Sequence, residues 1–184
     1  MRQPLYDGKY FETQSNVDQF VNQYPVKPAQ HAVEECNEFL AGNVLRTKFR
    51  YSALDETGVI GIACRHEHPY SFYSLRHGER ISYIVYALEK LKEQCSNQSA
   101  VYLLYDVACI LKRHLQSQQR NDLTEFFKLV VPVFHAYGHK VDCQFSMSAA
   151  YQAGFGLTDG EVLERCIWAV YGFSHCKSYT MRNY

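Results

Sequence analysis

The chain has 184 residues, enough for one domain, and 47% of them are hydrophobic while 21% are charged. That composition is typical of a globular protein and excludes wholesale disorder. The 19 basic and 19 acidic residues give a net charge of zero. This balance argues against a free-standing protein that coats DNA, because such proteins usually carry a basic excess. It does not exclude an enzyme that meets DNA locally.

The cysteine pattern and the apolar runs indicate the compartment. There are seven cysteines, an odd number, and no two of them form a CxxC pair. The amino-terminal residues lack the apolar core of a signal peptide, and no run approaches the ~18 residues of a membrane span. We therefore expect an intracellular, reducing compartment with mostly free thiols, and neither secretion nor a membrane.

Two different regions make up the first third of the chain. Residues 1–30 are polar and hold three of the five prolines, which predicts an extended lead-in to a domain formed by residues 31–184. Three strand-like segments follow, each mixing β-branched and aromatic residues and bounded by turn signals. These segments are TKFRYSALDETG, VIGIACRH and PYSFYSLRHG.

The remaining chain alternates helical and strand patterns. ERISYIVYALEKLKEQ has apolar residues at three- and four-residue spacing and predicts an amphipathic helix. AVYLLYDVAC is a continuous apolar run, typical of a strand buried on both faces. Residues 107–130 are predicted to be helical with a break near SQQRND, followed by a strand in LVVPVFHAYG and a helix in EVLERCIWAVYGF. The order β-β-β-α-β-α-β-α predicts an α/β fold with a mixed sheet flanked by helices.

Two aspartates end predicted strands. Asp55 follows the first strand and Asp106 follows the buried strand. Ligand sites in α/β sheets lie at such strand ends, and an acid after an apolar run is costly to bury unless it is paired or bound to a metal. If the two strands are neighbours, we expect both carboxylates to reach a shared cation.

A third acid is expected in GLTDGEVLERCIW. Glu161 is one candidate, although Thr158 and Glu161 also have the spacing of a helix capping box. Glu164 lies on the same helical face and is the alternative, whereas Asp159 is expected to be a turn acid. Three carboxylates suit Mg²⁺ or Mn²⁺, and two such ions about 4 Å apart can drive phosphodiester cleavage and strand transfer.

Five blocks in order resemble the Kyakuja-Dileera-Zisupton (KDZ) family of transposases, from about Cys36 to the carboxyl terminus. They are LDETGVIGIACRH, HGERISYIVYALEKL, VYLLYDVAC, VFHAYGHKVDCQ and GFGLTDGEVLERCIW. The resemblance implies a ribonuclease H-like nuclease core with an Asp-Asp-Glu (DDE) motif. It assigns Asp55 as the first acid, Asp106 as the second, and Glu161, or alternatively Glu164, as the third.

The resemblance also implies binding partners and a cellular location for the protein. These are DNA, as transposon ends and target, at least a dimer for pairing two ends, and the nucleus. Family members tend to carry cysteine-rich binding modules outside this core, and none is found in this sequence. We therefore expect an excised or shortened core, truncated in its carboxyl-terminal helical part.

A second metal is suggested by Cys64 and His66 in CRHEH and by His135, His139 and Cys143 in FHAYGHKVDC, with Cys64, His66, His139 and Cys143 as the favoured set. These residue types could form a tetrahedral structural zinc site from two neighbouring strands. The alternative is that the cysteines pack in the core while the histidines form local hydrogen bonds.

Two other functions stay open. One is a domesticated DNA- or chromatin-associated interaction module that has kept the fold and lost the reaction. The other is a related nuclease acting on RNA or on recombination intermediates, because metal-assisted phosphodiester chemistry is shared across such folds. Arg65, Arg80, Arg165 and Trp168 are more often surface ion pairs or core anchors than contacts to nucleic acid.

Overall fold

The structure is a computed structural model that describes residues 10–25, 36, 55–78, 80–163, 165 and 179–182, the last four for their backbone only. Most of the first predicted strand, most of the final predicted helix, Glu164 and Trp168 lie outside these residues. Among the described residues, no helix has the length and apolar character needed to cross a membrane. The predicted domain boundary after residue 30 stays a prediction.

A five-stranded mixed sheet forms the centre of the fold. Its strands are β1 (Gly58–Cys64), β2 (Pro69–Leu75), β3 (Val101–Tyr105), β4 (Phe127–Val130) and β5 (Tyr179–Arg182), in the spatial order β2-β1-β5-β3-β4. β1 pairs with β2 antiparallel and with β5 parallel. β3 pairs with β4 parallel and with β5 antiparallel. The expected α/β class with a mixed sheet is confirmed.

Helices cover the sheet and connect its strands. They are α1 (Gln14–Gln23), α2 (Ile81–Gln94), α3 (Ala108–Ser117), α4 (Asn121–Phe126), α5 (Val133–Ala136) and α6 (Val141–Met147), followed by a short 3₁₀ helix at Ala149–Tyr151. The predicted amphipathic helix is α2, and the stretch 107–130, predicted to be helical with a break near SQQRND, contains α3 and α4. Local periodicity predicted these helices correctly, but the last four residues of that stretch, Phe127–Val130, form β4 instead.

Two segments differ from the sequence predictions. Within the lead-in that was expected to be extended, α1 forms and buries Val17 and Val21, which are one helical turn apart. The strand predicted over LVVPVFHAYG ends at Val130, and its second half contains α5. Pro132 explains the change, because proline has no backbone N–H to continue a sheet ladder and suits the beginning of a helix.

β3 is buried on both faces, as its continuous apolar run predicts. Leu103 belongs to the main core, which α2 and α3 also line. Leu104 points to the other face and packs in a smaller cluster with Val130, Ala149 and Phe155. Asp106 follows this strand directly and is half-buried.

Candidate functional site

The candidate site is built around the segment that leaves β4, residues 131–143. Its short helix α5 carries His135, and His139 follows one turn later, immediately before α6. His139 is only 4% exposed. Its Nε2 lies 3.0 Å from the backbone oxygen of Asp106, so the end of β3 and this segment are hydrogen-bonded to each other. His135 instead faces the region of Glu161.

Four ligand-type side chains converge beside His139. The Sγ atoms of Cys36, Cys109 and Cys143 and one ring nitrogen of His139 all lie within 4.8 Å of one another. His139 Nδ1 is 3.5 Å from both Cys109 Sγ and Cys143 Sγ. Because Nε2–H donates to the carbonyl of Asp106, Nδ1 carries the lone pair that faces the sulfur atoms. This Cys₃His cluster could hold a metal such as zinc.

Burial sets the protonation of this Cys₃His cluster. It raises the pKa of the Cys109 thiol to about 11 and also raises the pKa of the Cys143 thiol. It lowers the pKa of His139, against the opposing effect of the hydrogen bond to Asp106. The thiols of Cys109 and Cys143 and the imidazole of His139 are therefore neutral in the metal-free protein at pH 7. A divalent cation among them would displace thiol protons.

Only two of the four predicted zinc ligands lie together in the structure. His139 and Cys143 belong to the Cys₃His cluster, but Cys64 and His66 do not. Cys64 ends β1, and its Sγ is 3.9 Å from His66 Nδ1 in the adjoining turn. Since β5 and β3 both lie between β1 and β4, the strands that were expected to be neighbours are separated. The Cys64–His66 part of the predicted zinc set is therefore corrected to Cys36 and Cys109.

Two of the three predicted acids, Asp106 and Glu161, contact the histidine segment, residues 131–143. Asp106 is half-buried after β3, and its Oδ1 accepts a hydrogen bond from the N–H of Val107. Glu161 Oε1 is 3.1 Å from His135 Nδ1, and the Glu161 side chain is only 14% exposed. Glu161 Oε2 is buried and has no hydrogen-bond partner among the described residues. A buried carboxylate oxygen of this kind is costly unless a proton or a cation reaches it.

The capping-box alternative for Glu161 is not what the structure has. The N–H of Glu161 donates to Asp159 Oδ1, so Asp159 fills the capping role, while the Glu161 side chain turns to His135. Asp159 is the turn acid that the sequence predicts. Arg165 forms surface ion pairs with Asp159 and Glu67, in agreement with the expectation for this arginine.

Asp55 is exposed, in a bend before β1. Thr180 of β5 pairs with Ala63 on one side and with Leu104 on the other. This register puts Asp106 level with the middle of β1. Gly58, the first residue of β1, is three residues away from that level, which is about 10 Å at ~3.3 Å per residue. Hydrogen bonds join Asp106 and Glu161 to the histidine segment. Because the strand predicted to end at Asp55 is outside the described residues, its pairing stays a prediction.

The mixed α/β architecture and a site of acids beside a Cys₃His cluster define an α/β domain with a cluster that could hold a metal. Comparison with known proteins gives the family. The sequence model of the Kyakuja-Dileera-Zisupton transposases matches residues 2–175, nearly the whole chain. The chain belongs to this transposase family, which implies action on DNA. No curated protein matches the chain, and no solved structure matches it either.

Sequence reasoning missed Cys36 and Cys109 as members of the site, and it considered His135 only as a zinc ligand, whereas His135 contacts Glu161. Cys109 could have been found from the sequence, because it lies three residues after Asp106, just beyond the carboxyl end of the buried strand. His135 and His139 have the four-residue spacing of one helical face, yet they serve different partners. Nothing in the local pattern around Cys36 distinguishes it from a core cysteine.

Proposed function

We propose that the chain is the nuclease core of a DNA transposase, with a ribonuclease H-like arrangement and a DDE triad of Asp55, Asp106 and Glu161. The observation that carries the proposal is Glu161, a half-buried acid whose Oε2 is buried and has no hydrogen-bond partner among the described residues. It lies in the family-matched region, and it contacts the same histidine segment, residues 131–143, that Asp106 contacts. Glu164 remains the alternative third acid. The proposed substrates are transposon ends and target DNA, and the proposed place is the nucleus, with at least a dimer to pair two ends.

The described acids fit a hard divalent cation. Carboxylate oxygens are the ligands that Mg²⁺ and Mn²⁺ prefer, and Glu161 offers a buried oxygen that no other described group satisfies. When bound, such ions activate a water or a 3′-hydroxyl and stabilise the leaving oxygen. The protein's contribution is positioning. His135 holds one oxygen of Glu161, and the bond from His139 holds the backbone at Asp106.

The test is cleavage of duplex DNA carrying the terminal repeats of a KDZ element, with Mg²⁺ or Mn²⁺ added to purified protein. Asp55→Asn, Asp106→Asn and Glu161→Gln should each lower the nicking rate by about 100-fold or more, as removal of one charged transition-state contact does. Glu125→Gln is the matched control, because Glu125 is exposed on α4, outside the site. If Glu164→Gln abolishes nicking and Glu161→Gln does not, Glu164 is the third acid. Equal activity in all variants would refute the triad.

A second candidate function is an interaction module that has lost the reaction. Large apolar side chains on α5, on α6 and beyond are well exposed, and Phe145 and Tyr151 stack on each other at the surface with ring centroids 5.4 Å apart. Melting with increasing Mn²⁺ separates the two functions. A native-state cation site raises the melting temperature as the ion concentration passes its dissociation constant. An unchanged melting temperature together with absent cleavage favours the interaction module.

A further inference from the structure

We propose that Cys36, Cys109, His139 and Cys143 form a closed structural zinc site that joins three separate parts of the chain. Cys36 comes from the amino-terminal third, Cys109 from the first turn of α3, and His139 and Cys143 from the segment that runs into α6. The inference does not depend on the proposed reaction, since a chain without nuclease activity would bind zinc in the same way.

The distances agree with tetrahedral zinc. With Zn–S bonds of ~2.3 Å and a Zn–N bond of ~2.0 Å, the sulfur-to-nitrogen edge of a regular tetrahedron is about 3.5 Å. The two edges that His139 Nδ1 makes with Cys109 Sγ and Cys143 Sγ are both 3.5 Å. All four ligand atoms lie within 4.8 Å of one another, so one ion can reach every one of them.

Hydrogen bonding alone accounts for this cluster poorly. A neutral imidazole has one acceptor nitrogen, and Nδ1 of His139 can accept a hydrogen bond in its ring plane from only one thiol at a time. Cys36 and Cys109 would then be left with weak thiol contacts beside a buried ring. A zinc ion instead takes three thiolates and one imidazole nitrogen and leaves no ligand unused.

The surroundings favour a structural ion over a catalytic one. Cys109, His139 and Cys143 are buried and Cys36 is half-buried, and four protein ligands leave no open position for water or substrate. The Nε2–H of His139 donates to the carbonyl of Asp106, which is the outer bond that commonly orients a zinc-bound histidine. The backbone N–H of Lys140 also donates to the carbonyl of Cys36, 2.9 Å away. The ion would therefore tie the Cys36 segment and the end of β3 to α6.

The experiment measures zinc in the full chain, purified with a reducing agent and washed with a weak chelator. Elemental analysis and native mass spectrometry should find one zinc per chain. Removing it with a strong chelator should lower the melting temperature. Replacement by Co²⁺ should give the intense visible absorption of a tetrahedral thiolate site. A folded, metal-free chain whose melting temperature is the same before and after chelation overturns the inference, as does a Cys109–Cys143 disulfide under reducing conditions.

Variants identify the ligands. Cys143→Ser should lose zinc, whereas Cys95→Ser, at a cysteine of similar burial outside the Cys₃His cluster, should keep it. Cys64→Ser should also keep it. Loss in Cys64→Ser with retention in Cys143→Ser would contradict the assignment. If Cys143→Ser does not fold, alkylation of the wild-type chain decides: zinc should protect Cys36, Cys109 and Cys143 from modification, and chelation should expose all three together. Protection that does not respond to chelation would contradict a metal.

Discussion

The turn before Glu161 offers a sharp test of how the site is held. Gly160 has a φ of 87°, and a Cβ built on it would lie 2.7 Å from Leu104 Cδ2 and 2.8 Å from Pro132 Cβ. Gly160→Ala therefore combines two costs: roughly 1–2 kcal/mol for a left-handed backbone and roughly 1–3 kcal/mol for overpacking against the ends of β3 and β4. We expect a loss of about 2–5 kcal/mol in the free energy of unfolding.

The matched control is Gly156→Ala. Gly156 has a φ of 59° and is exposed, so the substitution carries the backbone cost alone, about 1–2 kcal/mol. Urea unfolding of the three proteins, followed by circular dichroism, gives both values. Because Gly160 is the residue next to Glu161, its substitution should also lower any Mn²⁺-induced rise in melting temperature. If Gly160→Ala destabilises no more than Gly156→Ala, the close packing of this turn against Leu104 and Pro132 is refuted.

Three further predictions concern stability. Leu111 is fully buried in α3 while Leu157 is fully exposed. In urea unfolding, Leu111→Ala should therefore lower the free energy of unfolding by about 2–5 kcal/mol, and Leu157→Ala should lower it by less than about 0.5 kcal/mol. Equal losses would contradict the burial of Leu111 in the core. Tyr83 is buried and its hydroxyl oxygen accepts from two backbone N–H groups of the turn after β2. Tyr83→Phe should therefore cost about 1–3 kcal/mol by leaving both donors unpaired, and a neutral result would show that water replaces the hydroxyl. The hydrogen bonds from Arg120 lower the pKa of Asp122 to about 2. Their contribution is present above the ordinary carboxyl pKa of 3.8 and disappears as the pH falls through the folded-state value. Asp122→Asn should melt slightly below wild type at pH 7, and the difference should vanish towards pH 2; a gap that is independent of pH would refute this ion pair.

The proposed zinc and the proposed nuclease site share a short piece of chain. His139 belongs to the Cys₃His cluster and bonds to the backbone of Asp106, and His135, one turn earlier, bonds to Glu161. Loss of the structural ion is thus expected to disturb both acids. A comparison of nicking by the zinc-containing and zinc-depleted chains would reveal that dependence, provided that the Mg²⁺ concentration is held constant.

The sequence by itself determined the elements whose cause is local. The apolar spacing of α2, the break between α3 and α4 and the doubly buried run of β3 all follow from side-chain periodicity within a few turns. The position of Asp106 at the end of β3 follows in the same way, and so does the family, because its blocks are read from consecutive letters. α1 was missed because its composition is mostly polar. Its two buried valines, Val17 and Val21, stabilise the helix only when they pack against the rest of the domain.

The tertiary structure alone decided the partners. Cys36, Cys109 and Cys143 meet because α3 and α6 pack beside each other and residue 36 returns to them, an arrangement that spacing along the chain does not encode. His135 and His139 are four residues apart in one short segment, yet one faces Glu161 and the other faces three sulfur atoms. Strand order likewise separates β1 from β3 by β5 and so removes Cys64 and His66 from the metal cluster. Local sequence sets which side chains are buried, but the register and packing of distant segments set which buried side chains touch.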